Sequence, residues 1–234
     1  MADTRRHEMF AGDAFSDTRC GEAIDGREMT AAVGVVMELA AAQHCVVTTA
    51  ALAAHGIGPS AIRRLVRAGV LRRLHQGVYL AGPAVPPHAR AMAALLACGR
   101  GAALSHRTAG ELWGFLPAIG GPIDVTRPGT TRTHDGVRVH RSRLEQRDVG
   151  RRHEMAVSRP ARTLLDLAVV VGPRELDRAL EEAQILRLVS LAELRGTAER
   201  AGPNRACGRF AARSAASTRH LRSPAQKRSG GCFT

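Results

Sequence analysis

Aromatic side chains are scarce in this chain: they make up 3% of its 234 residues, with one tryptophan and one tyrosine. Hydrophobic residues still amount to 44%, so a core can form, but it has to be built mostly from alanine, leucine and valine. No apolar run approaches the roughly 20 residues that a bilayer-crossing helix needs. The first 28 residues are polar and mixed in charge, without the apolar stretch of a signal peptide. The five cysteines, Cys20, Cys45, Cys98, Cys207 and Cys232, are scattered, and no two are spaced as metal ligands or as CxxC. An odd, dispersed set of thiols is not a disulfide framework and fits a reducing compartment. A soluble, cytoplasmic protein without a membrane partner is expected.

Catalytic sets are missing as well. There is no glycine-rich phosphate loop and no paired-carboxylate constellation. Ser105 and His106 are adjacent, but neighbours at a helix start point in different directions, so Ser105 is expected as an N-cap rather than a nucleophile. Asp124 has no companion at metal-ligand spacing, and His134, His140 and His153 are dispersed. No catalytic residue, metal or cofactor is therefore expected. Arg162–Asp166 and Arg178–Glu182 have i, i+4 spacing and read as surface ion pairs worth ~0.2–0.5 kcal/mol each.

What the chain does have is positive charge: a formal net charge of +13 and a pI near 11.3. That balance favours a polyanionic partner. Lys227 is the only lysine, and an arginine-for-lysine, alanine-rich composition can follow from a GC-rich genome. Clustered arginines therefore weigh more than the total. The informative cluster lies between Val46 and Gly82. Thr48 or Thr49 caps a short helix through Ala54, Gly56 gives a tight turn, and Ile57 inserts between helices. A second helix begins at Pro59 or Ser60 and ends at Gly69. Ile62, Leu65 and Val66 share its apolar face, with Ser60, Arg63, Arg64 and Arg67 opposite. Val70 to His75 and Val78 to Leu80 then form a hairpin around Gln76-Gly77. Its tip or outer face carries Arg72, Arg73, His75 and Gln76, while Tyr79 is expected to pack against the helices. Helix, glycine turn, cationic helix and cationic hairpin is the order of a winged helix-turn-helix, and Thr30 to Ala42 supplies the first helix. The cationic helix suits the major groove of double-stranded DNA, and the hairpin suits the flanking backbone or minor groove.

The expected fold class is α+β, in four parts: a disordered N-terminal extension over 1–29, a winged helix-turn-helix over 30–82, a mixed α+β domain over 83–201, and a basic disordered tail over 202–234. Gly82 to Pro87 reads as the linker. Beyond it, helices are expected over His88 to Cys98, from Ser105 to Trp113, after Ser158, over Arg174 to Leu188 and after Ser190. Strands are expected at Ile123 to Thr126, Val137 to His140 and around Ala156-Val157.

The run LAAHGIGPSAIRRLVRAGVLRRLHQGVYLAG, followed by ALLACGRGAALSHRTAGELWGF, IDVTRPG, GVRVHRSRL and SRPARTLLDLA, resembles the actinobacterial AbiEi-like antitoxin family from about Met37 to Ala201. The resemblance implies a winged helix-turn-helix and a larger α+β domain, and the role of antitoxin in an abortive-infection (type IV) toxin–antitoxin system. It implies repression through repeats in the protein's own promoter. It also implies antagonism of a nucleotidyltransferase-like toxin without a stable complex. The positions matching the DNA-binding part are Ser60, Arg63, Arg64, Arg67, Arg72, Arg73, His75 and Gln76. Many relatives continue into a Vsr-like endonuclease domain, whose chemistry needs acidic metal ligands. Residues 202–234 contain no Asp or Glu, so nuclease activity is not carried over. The alternative is a truncated or frameshifted remnant of a DNA-targeted, restriction-endonuclease-like protein. The sequence leaves the oligomeric state open.

Overall fold

The structure is a computed structural model that describes residues 26–129 and 134–201, with Gly208, Phe210 and Arg213. The chain opens on α1 (Gly26–Ala41), β1 (Val46–Thr48), α2 (Thr49–Ala54), α3 (Pro59–Arg67), β2 (Leu71–His75) and β3 (Val78–Ala81). The three strands form an antiparallel sheet in the order β1-β3-β2. The first helix begins four residues before the expected boundary at Thr30. The Thr30 hydroxyl caps nothing; it donates back to the Gly26 carbonyl at 2.8 Å, within the helix. Residues 1–25 of the expected N-terminal extension lie outside the described residues.

Sequence reading missed β1, because three residues that lead straight into a helix cap carry no alternation. Its role is clear from pairing: Val46 faces Leu80 and Val47 faces Tyr79 across the ladder. Successive strand residues point to opposite faces, and both faces of this sheet are covered. Val47, Ala81 and Leu71 pack with Val36, Leu52, Ile62 and Leu65 of the helices. Tyr79 joins that side, as expected. Val46, Val78 and Leu80 pack instead with Ala89, Met92, Ala93 and Val157, so one core runs across the Gly82–Pro87 segment.

The helix after that segment, α4 (Ala89–Cys98), explains how this is possible. It contacts all three strands of the first sheet on one side and β4, β5 and β8 of the second sheet on another. Ala89, Ala91, Met92, Ala93, Ala94 and Cys98 are all buried. A helix that is apolar nearly all round is a buried helix, and alanines let two sheets approach it closely. The second sheet comprises β4 (Ala103–Leu104), β5 (Ile123–Arg127), β6 (Val137–Arg141), β7 (Val149–Arg152) and β8 (Met155–Ser158), ordered β6-β5-β4-β8-β7. It is mixed, with β5 parallel to β6 and β4 parallel to β8. The expected strands at 123–126, 137–140 and 156–157 are present, whereas the two-residue β4 and the arginine-bearing β7 escaped sequence reading.

Four further helices complete the fold: α5 (His106–Trp113), α6 (Pro160–Val170), α7 (Pro173–Ile185) and α8 (Leu191–Ala201). In α5, Gly110 is required by packing: a Cβ there would come 2.7 Å from Leu116 as the chain folds back beneath the helix. Ser190 and Glu193 cap α8 reciprocally, at 3.2 Å and 2.8 Å. A separate core joins Leu164, Leu167, Leu176, Leu180 and Leu194 with Phe115. Phe210 belongs to it at 0% exposure, and Arg213 is ion-paired with Asp177 of α7. Two residues beyond the expected boundary at 201 thus pack against these helices. The tail's lack of apolar period hid a single phenylalanine that fills a space between helices. The rest of the expected tail lies outside the described residues, Gly208 excepted.

Two ion-pair expectations also change. Arg162 bridges Asp166 at 2.9 Å and Asp148 at 3.4 Å, with all three side chains at most 14% exposed. This is a buried network rather than a surface pair, and burial pushes the Asp166 carboxyl up to about 6 against the opposing pull of Arg162. No ion pair forms between Arg178 and Glu182 among the described residues.

Candidate nucleic-acid interface

Thr48 sets the first helix of the helix-turn-helix: its Oγ1 accepts the Ala51 N–H at 3.1 Å, so it is the N-cap of α2. The turn passes through Gly56, and Ile57 is buried in the helix-side core. Pro59 occupies the first position of α3, where its missing N–H costs nothing. The helix ends in a Schellman motif. The Val70 N–H donates to the Leu65 carbonyl at 3.0 Å, and the Gly69 N–H donates to the Val66 carbonyl at 3.1 Å, with Gly69 at φ 74°. That left-handed residue sends the chain directly into β2.

With both ends fixed, α3 buries Ile62 and Leu65. Val66, expected on the same face, is 38% exposed. The opposite face carries Ser60, Arg63 and Arg67, all exposed, and the Arg63 guanidinium donates to the Ser60 hydroxyl at 3.0 Å. Arg64 is half-buried, and its Nε is buried without a partner.

On the hairpin, Arg72 and Arg73 are exposed and point to opposite faces of β2. Arg73 lies opposite Tyr79, on the side of the helices; Arg72 lies opposite Leu80, on the side of α4. A bulge between Arg73 and His75 shifts the register near the tip. Gln76 is exposed, and the Thr49 N–H holds the Gly77 carbonyl at 2.9 Å, tying the turn to the start of α2. His75 is half-buried and meets His134 edge-on at 5.6 Å. Burial, then His134, hold its imidazole below the usual value, while Asp135 opposes them. The structure thus leaves Ser60, Arg63, Arg67, Arg72, Arg73 and Gln76 exposed, with Arg72 on the face away from the helices, and sets Arg64 and His75 partly into packing.

None of the five arginines on α3 and the hairpin has an ion pair among the described residues. The reason is legible in the chain: no Asp or Glu occurs between Glu38 and Glu111. That acid-free run, rather than the net charge, is the signal that marks this surface as an uncompensated cationic field.

Ser105 and His106 are closer than expected. His106 takes φ 49°, which turns its ring back, and Nδ1 lies 2.9 Å from Ser105 Oγ. Ser105 holds the N-cap position of α5 without a side-chain cap bond; its Oγ instead accepts from the Thr126 hydroxyl at 2.7 Å. His106 stacks on His140 with centroids 3.5 Å apart, and His140 Nε2 meets Asp124 Oδ1 at 2.8 Å. Burial, followed by His140, lowers the His106 pKa to about 3. Ser105 is 0% and Asp124 1% exposed, while His140 remains 20% exposed at the edge of the network, which joins β5, β6 and α5.

The sheet order, the helix-turn-helix and the hairpin together define a winged helix-turn-helix protein with an attached α+β unit. Residues 35–82 match the family described as "Transcriptional regulator, AbiEi antitoxin", so the winged-helix segment is similar to that family over this stretch. The match covers the first part of the broader resemblance over 37–201. No curated protein matches the chain. Among solved structures, the RV2827C protein from Mycobacterium tuberculosis is similar, with a TM-score of 0.56 and 20% identity, covering 80% of this chain and 77% of that one. At that identity the likeness is one of fold. No helix among the described residues is long and apolar enough to cross a membrane.

Proposed function

We propose that this chain is a DNA-binding transcriptional repressor, acting as the antitoxin of an abortive-infection toxin–antitoxin pair and performing no catalysis itself. The observation that carries the reading is the open, acid-free arginine surface of α3 and its hairpin within residues 35–82. In this reading α3 enters the major groove of the protein's own promoter, with Arg63 and Arg67 towards base edges or phosphates. Arg72 and Arg73 hold the flanking backbone. The toxin, a nucleotidyltransferase-like enzyme, is antagonised without a stable complex.

A mobility-shift titration on the gene's own upstream DNA, repeated over a salt series, tests the first half. If Arg63, Arg67, Arg72 and Arg73 each neutralise one phosphate, log affinity falls against log salt with a slope of about −3.6. Replacing Arg63, Arg64 and Arg67 together by alanine abolishes specific binding; unchanged affinity in that variant overturns the placement of the recognition helix. Co-expression with a neighbouring nucleotidyltransferase gene tests the second half: growth is rescued although the two proteins do not co-purify.

A further inference from the structure

The second unit contains a cavity of about 540 Å³ between β7, the start of α6 and α8. Its wall carries six arginines, Arg147, Arg151, Arg159, Arg162, Arg187 and Arg200, against two acids, Asp148 and Glu193. Both acids already have partners, Asp148 within the wall itself. Asp148 is bridged by Arg162, and Glu193 accepts from the Ser190 backbone N–H at 2.8 Å and hydroxyl at 2.9 Å. Arg147 and Arg151 have acidic partners in Glu145 and Glu154. Arg159, Arg187 and Arg200 form no ion pair among the described residues. Arg159 donates to the Val149 carbonyl at 3.3 Å, and Arg200 donates to the Thr197 hydroxyl at 3.2 Å. Gly196 lets Arg200 lie along α8, since a Cβ there would come 3.3 Å from its guanidinium.

Among the described residues, Arg187 and Arg200 have no acidic partner and Arg159 has only the nearby Glu193, and guanidinium groups around one concavity repel each other unless an anion sits between them. Planar arginine forks match phosphate oxygens in paired hydrogen bonds. The volume suits a ligand of nucleotide size rather than a duplex. Trp113, the only tryptophan of the chain, lines the same cavity and offers an apolar ring.

We propose that this cavity binds a phosphate-bearing ligand of nucleotide size, held by Arg159, Arg187 and Arg200. The ligand is either a free nucleoside polyphosphate or the phosphorylated end of a single-stranded nucleic acid. The site is separate from the α3 surface.

Trp113 fluorescence of the full chain reads the site directly. The probes are inorganic triphosphate, adenosine triphosphate, a short 5′-phosphorylated oligonucleotide, and adenosine as the control. A saturable change with adenosine triphosphate and inorganic triphosphate assigns a free polyphosphate; a change with the oligonucleotide alone assigns a nucleic-acid end. Either supports the site. No saturable change with any probe at millimolar concentration overturns it, as does an equal response to adenosine. Arg187→Ala and Arg200→Ala each weaken binding roughly tenfold or more, whereas Arg174→Ala, outside the cavity, does not. Arg187 and Arg200 are exposed, so the variants keep the parent unfolding midpoint, and unchanged affinity in both overturns the assignment. The variant lacking Arg63, Arg64 and Arg67 retains the response; its loss there would place the ligand on the DNA-binding surface instead.

Discussion

Replacing His106 by asparagine should make the protein less sensitive to acid. Asparagine tolerates the left-handed backbone that His106 adopts at φ 49°, and its side-chain oxygen can still accept from Ser105. It cannot titrate. The folded-state pKa of His106 lies at about 3, lowered from 6.5 first by burial and then by His140. Between those values the unfolded chain binds more protons than the folded one. The contribution of His106 to stability is therefore complete above 6.5 and is lost as the pH falls towards 3. Lowering the pH from 7 to about 4.5 removes about 2.5 kcal/mol through this one imidazole. Asp166 acts in the opposite sense. Its pKa is raised to about 6, so its stabilising contribution is present below 3.8 and is lost as the pH rises through 6. The wild-type curve alone therefore understates the effect of His106, and the difference between wild type and variant isolates it. Urea unfolding followed by Trp113 fluorescence gives that difference. At pH 7 the variant is the weaker protein, having lost the stacking on His140. By about pH 4.5 the gap has closed by about 2.5 kcal/mol. A gap that stays constant from pH 7 to 4.5 would refute the claim that His106 is held neutral by its surroundings.

Arg162→Ala leaves Asp148 and Asp166 buried without their cation and should cost about 3–5 kcal/mol, read as a shift of the urea midpoint. Phe210→Ala empties a fully buried position between α6, α7 and α8 and should cost about 3–5 kcal/mol; a loss below about 1 kcal/mol would mean that Phe210 does not sit in this core. Thr48→Ala removes the cap of α2 and should cost about 1 kcal/mol while weakening DNA binding through a loosened helix-turn-helix. Gly69→Ala forces a side chain into the left-handed end of α3 and should destabilise by about 1 kcal/mol.

The winged helix was legible because its signals are local and agree. Thr48, Gly56, Pro59, Gly69 and Gly77 each mark a boundary by backbone chemistry, and the apolar positions between them keep helical or strand spacing. The shortest strands were not legible. β1 and β4 are two or three residues long and exist through partners distant in the chain, Leu80 for Val46 and Val157 for Leu104. Ser105 and His106 were misread for another reason. The rule that neighbours diverge assumes helical φ, and His106 does not have it. Phe210 stood out by no period at all, since its place is defined by helices between 160 and 201 that pack around it. On the cationic surface, the expected helix and hairpin are present, but the sequence overstated the openness of two of their positions. Arg64 and His75 follow the same residue pattern as their neighbours, and only packing shows that they are partly taken up.

The core shared by Val46, Val78 and Leu80 with α4, Leu104 and Val157 has a consequence for synthesis. A DNA-reading head encoded by residues 35–82 would seem ready as soon as it leaves the ribosome. Yet one face of its sheet stays bare until α4, which ends at Cys98, has been made to cover it. At 5–20 residues per second, that leaves the head unfinished for about 1–3 s. A product terminated before that point would expose apolar strand surface. The requirement for α4 thus works as a check on the junction between the two units: only chains that have passed Cys98 can present α3 on a covered sheet.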